Sequence, residues 1–169
     1  MSLIKSISGI RGTIGGTPGD NLTPLDIVKF SAAYGAWLKS QHKKNGKRTV
    51  VIGRDGRISG AMLKDLVIST LTAMGIDVID TDFSTTPTVE MAVTFLKADG
   101  GIILTASHNP KEWNALKLLN SKGEFISAED GKYILDTAEK EDFTFEPVDE
   151  LGKVTKDDTT IQKHIEAIV

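Results

Sequence analysis

Three short β-branched runs, Thr49-Val-Val-Ile-Gly53, Ile76-Asp-Val-Ile-Asp80 and Gly101-Ile-Ile-Leu-Thr105, alternate with segments whose apolar residues recur at helical spacing. Runs of this kind are strands covered on both faces. Strand–helix–strand alternation is the grammar of a parallel sheet with helices packed on it. A fourth run, Ala115-Leu-Lys-Leu-Leu119, follows the third after only a short link from Pro110, so it is expected to run antiparallel. The expected fold class is therefore α/β: a three-layer α/β/α sandwich with a four-stranded mixed sheet, three strands parallel. The chain has 169 residues, enough for one domain with a real hydrophobic core.

The helices announce themselves by their ends. Thr23-Pro24 reads as an N-cap with proline at the first helical position, followed by Ile27, Phe30, Tyr34, Trp37 and Leu38 on one face. Ser59 reads as the cap of a second helix, whose stripe from Met62 to Met74 ends at Gly75; the two methionines read as core packing. Thr86-Pro87 opens a third helix reaching about Lys97, and Ser127 with Asp130 is a capping-box pattern opening a fourth. Residues 139–158 read as an acidic connector with one short strand around Val148 to Val154. A last helix carries Ile161, His164, Ile165 and Ile168 on one face, with His164 as a packing residue. The chain stops with that apolar face still running, the pattern expected of a cut between domains. Residues 1–155 are thus expected to form one domain, and 156–169 the start of a linker helix.

Composition removes several classes of function. There is no cysteine, so disulfides, thiolate metal sites and cysteine nucleophiles are excluded. The net charge of −3 argues against nucleic acid or an anionic membrane as partner, and Gln41 to Arg48 reads as a solvated basic turn. His42, His108 and His164 are too scattered to form a metal cluster by themselves. No apolar run approaches the roughly 20 residues that span a bilayer, and the N-terminus lacks a secretory pattern. A cytoplasmic protein is expected.

In open α/β sheets ligands bind beyond the carboxyl ends of the parallel strands. Three loops leave those ends: Gly53-Arg-Asp-Gly-Arg-Ile-Ser59, Asp80-Thr-Asp-Phe-Ser-Thr-Thr86 and Thr105-Ala-Ser-His-Asn-Pro110. Hydroxyls, amides and exposed N–H groups beside arginine suit a phosphate or carboxylate. The glycine-rich stretch Ser8-Gly-Ile-Arg-Gly-Thr-Ile-Gly-Gly16 reads as a fourth anion-binding loop, with Arg11 at its middle. Asp55 and Arg57 read either as site residues or as an ion pair that orders its loop. The chain has no P-loop and no G-x-S-x-G elbow. Ser107 and His108 are adjacent, a poor geometry for a nucleophile–base pair.

Thr105-Ala-Ser-His-Asn-Pro110 followed by Trp113-Asn-Ala-Leu-Lys117 closely resembles the phosphoserine loop of the α-D-phosphohexomutase family. Ser8-Gly-Ile-Arg-Gly12 and Gly53-Arg-Asp-Gly-Arg57 resemble its N-terminal motifs in the right order, so the resemblance spans Ser8 to about Gly123. Ala115 stands where the family usually has glycine after the asparagine. The resemblance implies that Ser107 carries a phosphoryl group, which passes to a hexose or hexosamine phosphate through a bisphosphorylated intermediate. It implies that Lys117 and His108 are candidates for the substrate hydroxyl's proton, and that Arg11 and Asn109 contact the phosphate. It also implies Mg²⁺, held by the phosphoserine and an aspartate loop in a second domain. The nearest approach to that loop here is Asp80-Thr-Asp82. The chain is then expected to be the first domain of such an enzyme, inactive alone. Two other readings use the same loops: a non-catalytic domain binding anionic sugars or proteins, and a phospho-acceptor domain using Asp55 or Asp82.

Overall fold

The computed structural model describes residues 1–6, 9–41 and 46–169; Ser8 and His42 lie outside the described residues. In chain order the elements are β1 (Ile4–Ser6), β2 (Gly9–Thr13), α1 (Pro24–Ser40), β3 (Thr49–Arg54), α2 (Gly60–Ala73) and β4 (Asp77–Phe83). They continue with α3 (Thr86–Phe95), β5 (Gly100–Leu104), β6 (Trp113–Leu119), α4 (Ala128–Lys140), β7 (Val154–Lys156) and α5 (Thr160–Ile168). No helix among the described residues is long and apolar enough to cross a membrane.

The strands form one mixed sheet in the order β1-β2-β6-β5-β3-β4-β7. β3 pairs in parallel with β4 and β5, and β6 runs antiparallel to β5, as the run lengths and the short link require. The α/β class holds, but the sheet has seven strands where four were expected. β7 extends the parallel side by pairing with β4. β1 and β2 are an N-terminal hairpin whose second strand lies antiparallel to β6. The glycine-rich stretch that reads as a loop is largely this hairpin. Its glycines permit close approach: a Cβ on Gly9 would run into the Leu116 carbonyl oxygen, and one on Gly12 would press on Leu22.

Alternation along the strands separates two cores. Ile10, Ile52, Ile102, Leu104, Leu116 and Leu118 face α1, α2 and α4, whose Tyr34, Leu63 and Ile134 complete the larger cluster. Val51, Ile103 and Leu119 face α3, packing on Val89, Ala92 and Val93. The helix ends follow the sequence closely at α1, where Thr23 and Asp26 form a capping box, and at α4, where Ser127 accepts the Asp130 N–H. Ser59 departs from expectation. It precedes α2 without capping it, its backbone being helical (φ −77°, ψ −6°) where a side-chain cap is extended, and its hydroxyl accepts a hydrogen bond from Asn114 Nδ2 at 2.8 Å. α5 rests on α3, where His164 Nδ1 meets Thr88 Oγ1 at 2.9 Å. Its isoleucines stay outside that contact, Ile168 being 71% exposed.

Candidate functional site

The loops after β3 and β5 meet at the carboxyl end of the parallel strands. Ser107 sits on an exposed turn in the left-handed conformation, φ +54°. Serine pays a steric penalty there, and such strain survives only where neighbours enforce it. Three contacts do so. The Ser107 N–H donates to Thr105 Oγ1 at 3.1 Å, Thr105 Oγ1 donates to Asp55 Oδ2 at 2.6 Å, and the Arg57 N–H donates to Asp55 Oδ1 at 3.1 Å. Thr105 is therefore the hinge of a chain running from the aspartate to the serine.

Arg57 closes the turn from beneath. Its two terminal nitrogens donate to four carbonyls: Pro110 at 2.7 Å and Trp113 at 2.9 Å from Nη1, Ser107 at 3.0 Å and Asn109 at 2.7 Å from Nη2. The side chain is only 12% exposed, and its Nε stands 3.4 Å from Asp55 Oδ2. The loop-ordering reading of Asp55 and Arg57 is the one the contacts support, with the loop in question being that of Ser107. Sequence reasoning had a signal for this pair in the Gly53–Arg57 run. Thr105 stood in the Thr105–Pro110 run, but nothing in the sequence showed its link to Asp55, because an aspartate–threonine–amide chain leaves no spacing signature.

Lys117 reaches the serine from β6. Its Nζ donates to Ser107 Oγ at 2.7 Å, a charge-assisted hydrogen bond. Arg11 belongs to β2 and not to a loop turn, a correction to its expected setting. It pairs with Ala115, while Gly9 pairs with Lys117, so Arg11 and Lys117 project from the same face of the sheet. Arg11 is exposed. Ala115 lies inside β6, in an extended strand that alanine adopts freely. His108 is exposed. Asn109 is held through its backbone, its N–H donating to the Ala106 carbonyl at 3.1 Å and its carbonyl accepting from Arg57. The structure thus brings Ser107, Lys117 and the Asn109 backbone into one turn and puts Arg11 on the adjoining strand face.

The two aspartates at the end of β4 are engaged elsewhere. Lys64 Nζ lies 3.0 Å from both Asp80 Oδ2 and Asp82 Oδ1, and Arg54 Nε lies 2.8 Å from Asp82 Oδ1. Desolvation opposes ionisation of Asp82, but the hydrogen bonds from Lys64 and Arg54, with their charges, outweigh it and hold its carboxyl below the usual range. Among the described residues no group of three or more His, Asp or Glu could hold a metal ion. The described residues therefore do not by themselves fit a complete Mg²⁺ site.

Known proteins resemble this chain in sequence and in fold. Residues 3–145 match the family described as phosphoglucomutase/phosphomannomutase, alpha/beta/alpha domain I. A phosphoglucomutase/phosphomannomutase of Thermococcus kodakarensis is 40% identical over 159 residues, covering 93% of this chain and 34% of its own. A probable phosphoglucosamine mutase of Pyrococcus abyssi is 39% identical over 162 residues, covering 96% of this chain and 33% of its own. The chain therefore spans about a third of the length of these relatives. Among solved structures, a phosphoglucomutase/phosphomannomutase family protein from Burkholderia thailandensis superposes with a TM-score of 0.77 at 26% identity, over 95% of this chain and 34% of that one. With the family match running over residues 3–145 and a relative 40% identical over 93% of this chain, the chain belongs to the phosphoglucomutase/phosphomannomutase (α-D-phosphohexomutase) family, as its α/β/α domain I.

Proposed function

We propose that this chain is the phosphoserine-bearing domain of a cytoplasmic phosphohexomutase, with residues 1–155 as the domain and 156–169 as the start of a linker helix to a second one. The complete enzyme interconverts the 1- and 6-phosphates of a hexose or hexosamine through a bisphosphorylated intermediate. The observation that carries this reading is the 2.7 Å contact of Lys117 Nζ with the oxygen of an exposed serine held in a strained turn. When a phosphoryl group leaves Ser107 for a sugar hydroxyl, the bond between phosphorus and Oγ breaks and negative charge collects on Oγ. An ammonium aimed at that atom gives it a proton as the bond breaks, and in the reverse step the resulting amine takes that proton back from the serine hydroxyl. His108 is the remaining candidate for the sugar hydroxyl's proton. Arg11 and Asn109 contact the transferring phosphate, which needs its equatorial charge neutralised. Mg²⁺ would supply further neutralisation, taking one oxygen from the phosphate on Ser107 and its other ligands from outside this chain.

The isolated chain is expected to fold yet to turn over poorly, since phosphoryl transfer rests on positioning and charge that this domain supplies only in part. Losing one electrostatic stabiliser typically costs on the order of a hundredfold to a thousandfold in rate. Mass spectrometry after incubation with glucose 1,6-bisphosphate should find phosphate on Ser107, and none in Ser107→Ala. Phosphate on another residue overturns the assignment. A coupled assay with glucose 1-phosphate, mannose 1-phosphate and glucosamine 6-phosphate should show no turnover near ordinary enzyme rates.

A further inference from the structure

We infer that Arg57, acting through the backbone and in concert with Asp55 and Thr105, is the positioning residue that presents Ser107 for phosphoryl transfer. The inference rests on the reading of Ser107 as the phosphoryl carrier. Its ground is the division of labour in the turn. The guanidinium gathers carbonyls from both limbs, Ser107 and Asn109 on the outgoing side and Pro110 and Trp113 on the returning side. Only a planar fork with several fixed donors can hold four acceptors at once; an ammonium of the same charge cannot.

Two consequences favour the chemistry. Carbonyl oxygens that point at Arg57 do not point at a phosphate on Ser107 Oγ, so the turn meets that dianion without their negative ends. The same grip, with the Asp55–Thr105–Ser107 chain, keeps the serine in its left-handed conformation, where Oγ lies against Lys117 Nζ. Arg57 does this from a buried place, spending its donors on backbone, so it acts through the loop and does not itself grip substrate. Asp55 in turn orients both members: one oxygen accepts the Arg57 N–H and the other accepts the Thr105 hydroxyl.

The test compares wild type with Arg57→Lys, Thr105→Val and Thr105→Ser. Two quantities are read: amide hydrogen exchange at Ser107 and Asn109, and the rate of phosphate uptake on Ser107 from glucose 1,6-bisphosphate. Thr105→Val keeps the side-chain shape and removes both of its hydrogen bonds, whereas Thr105→Ser restores them. Arg57→Lys is expected to speed exchange at Asn109, and Thr105→Val at Ser107, each at least tenfold. Both should slow phosphate uptake at least tenfold while far-UV circular dichroism is retained, and Thr105→Ser should stay within about twofold of wild type. Folded Arg57→Lys and Thr105→Val proteins that exchange and take up phosphate like wild type would overturn the proposal. If Arg57→Lys does not fold, the Thr105→Val and Thr105→Ser pair decides it alone. Phosphate taken up on a residue other than Ser107 would instead sink the reading of Ser107, and the exchange measurements would still judge the clamp.

Discussion

The Tyr34 hydroxyl donates to the Leu119 carbonyl at 2.6 Å and accepts the Gly101 N–H at 3.0 Å, tying α1 to a residue pair of the β5–β6 ladder. The side chain is fully buried, and burial pushes its ionisation far above the ordinary tyrosine range. Tyr34→Phe leaves a buried carbonyl and a buried amide without their partner. The expected cost is about 1–3 kcal/mol in urea unfolding at pH 7. Tyrosine ionises in the unfolded chain near pH 10, whereas the folded phenol stays neutral, so its contribution is complete below that pH and is lost above it. The wild type should therefore lose stability more steeply than Tyr34→Phe above about pH 10. Parallel alkaline slopes would contradict the assignment.

Ser107 should separate stability from function. Glycine accepts a left-handed conformation without penalty, whereas serine and alanine do not. Ser107→Gly is expected to be about 1 kcal/mol more stable than Ser107→Ala, read by chemical denaturation. Both should take up no phosphate at this position. Equal stability of the two variants would mean the turn has relaxed to an ordinary conformation in solution.

Asp82 gives the fold an acid-sensitive contact. Its folded carboxyl is held low by Lys64 and Arg54 against the opposing effect of burial. Its contribution is therefore present above about pH 4, the unfolded carboxyl's range, and is lost as pH falls through the lower folded value. The side chain is 45% exposed, so screening keeps the contribution below about 1 kcal/mol. Asp82→Asn tolerates the same left-handed backbone, φ +51°, and should flatten the stability profile below about pH 4. An unchanged acid midpoint would show that the contact carries no stability.

Gly9→Ala should loosen the N-terminal hairpin selectively. The added methyl meets the Leu116 carbonyl oxygen, part of the neighbouring strand's backbone, which cannot swing aside as a flexible side chain would. Destabilisation of about 1–3 kcal/mol is expected, with faster amide exchange in β2 and β6 and little change in β4. Uniform loss of protection across the sheet would argue against a local effect.

What the sequence disclosed, and what it withheld, follows from where each signal resides. Caps and apolar runs are local, so Thr23-Pro24, Ser127 with Asp130 and the three parallel strands could be read directly. Gly9 and Gly12 look like loop residues because glycine is depleted in strands. Their strand placement depends on pairing with Lys117 and Asn114, which are distant in sequence. Ser59 carries a cap's chemistry, yet the buried Asn114 claims its hydroxyl. The site divided the same way. Ser107 and Lys117 lay in one recognisable stretch, whereas the carbonyls that Arg57 holds are common to every residue type and leave no trace in a sequence.

The pairing of β2 with β6 places residue 11 beside residue 115, with β3, β4 and β5 falling between them along the chain. Contacts so far apart in sequence carry a loop-closure cost that delays their formation. On a ribosome, Arg11 can pair with Ile4 at once, but its place beside Ala115 waits until Trp113 to Leu119 has emerged. Its arrival then puts it on the same sheet face as Lys117, whose ammonium holds the Ser107 oxygen. Phosphate uptake on Ser107 would accordingly lag behind the burial of the parallel core in a refolding experiment, making the serine's reactivity a clock for the last step of assembly.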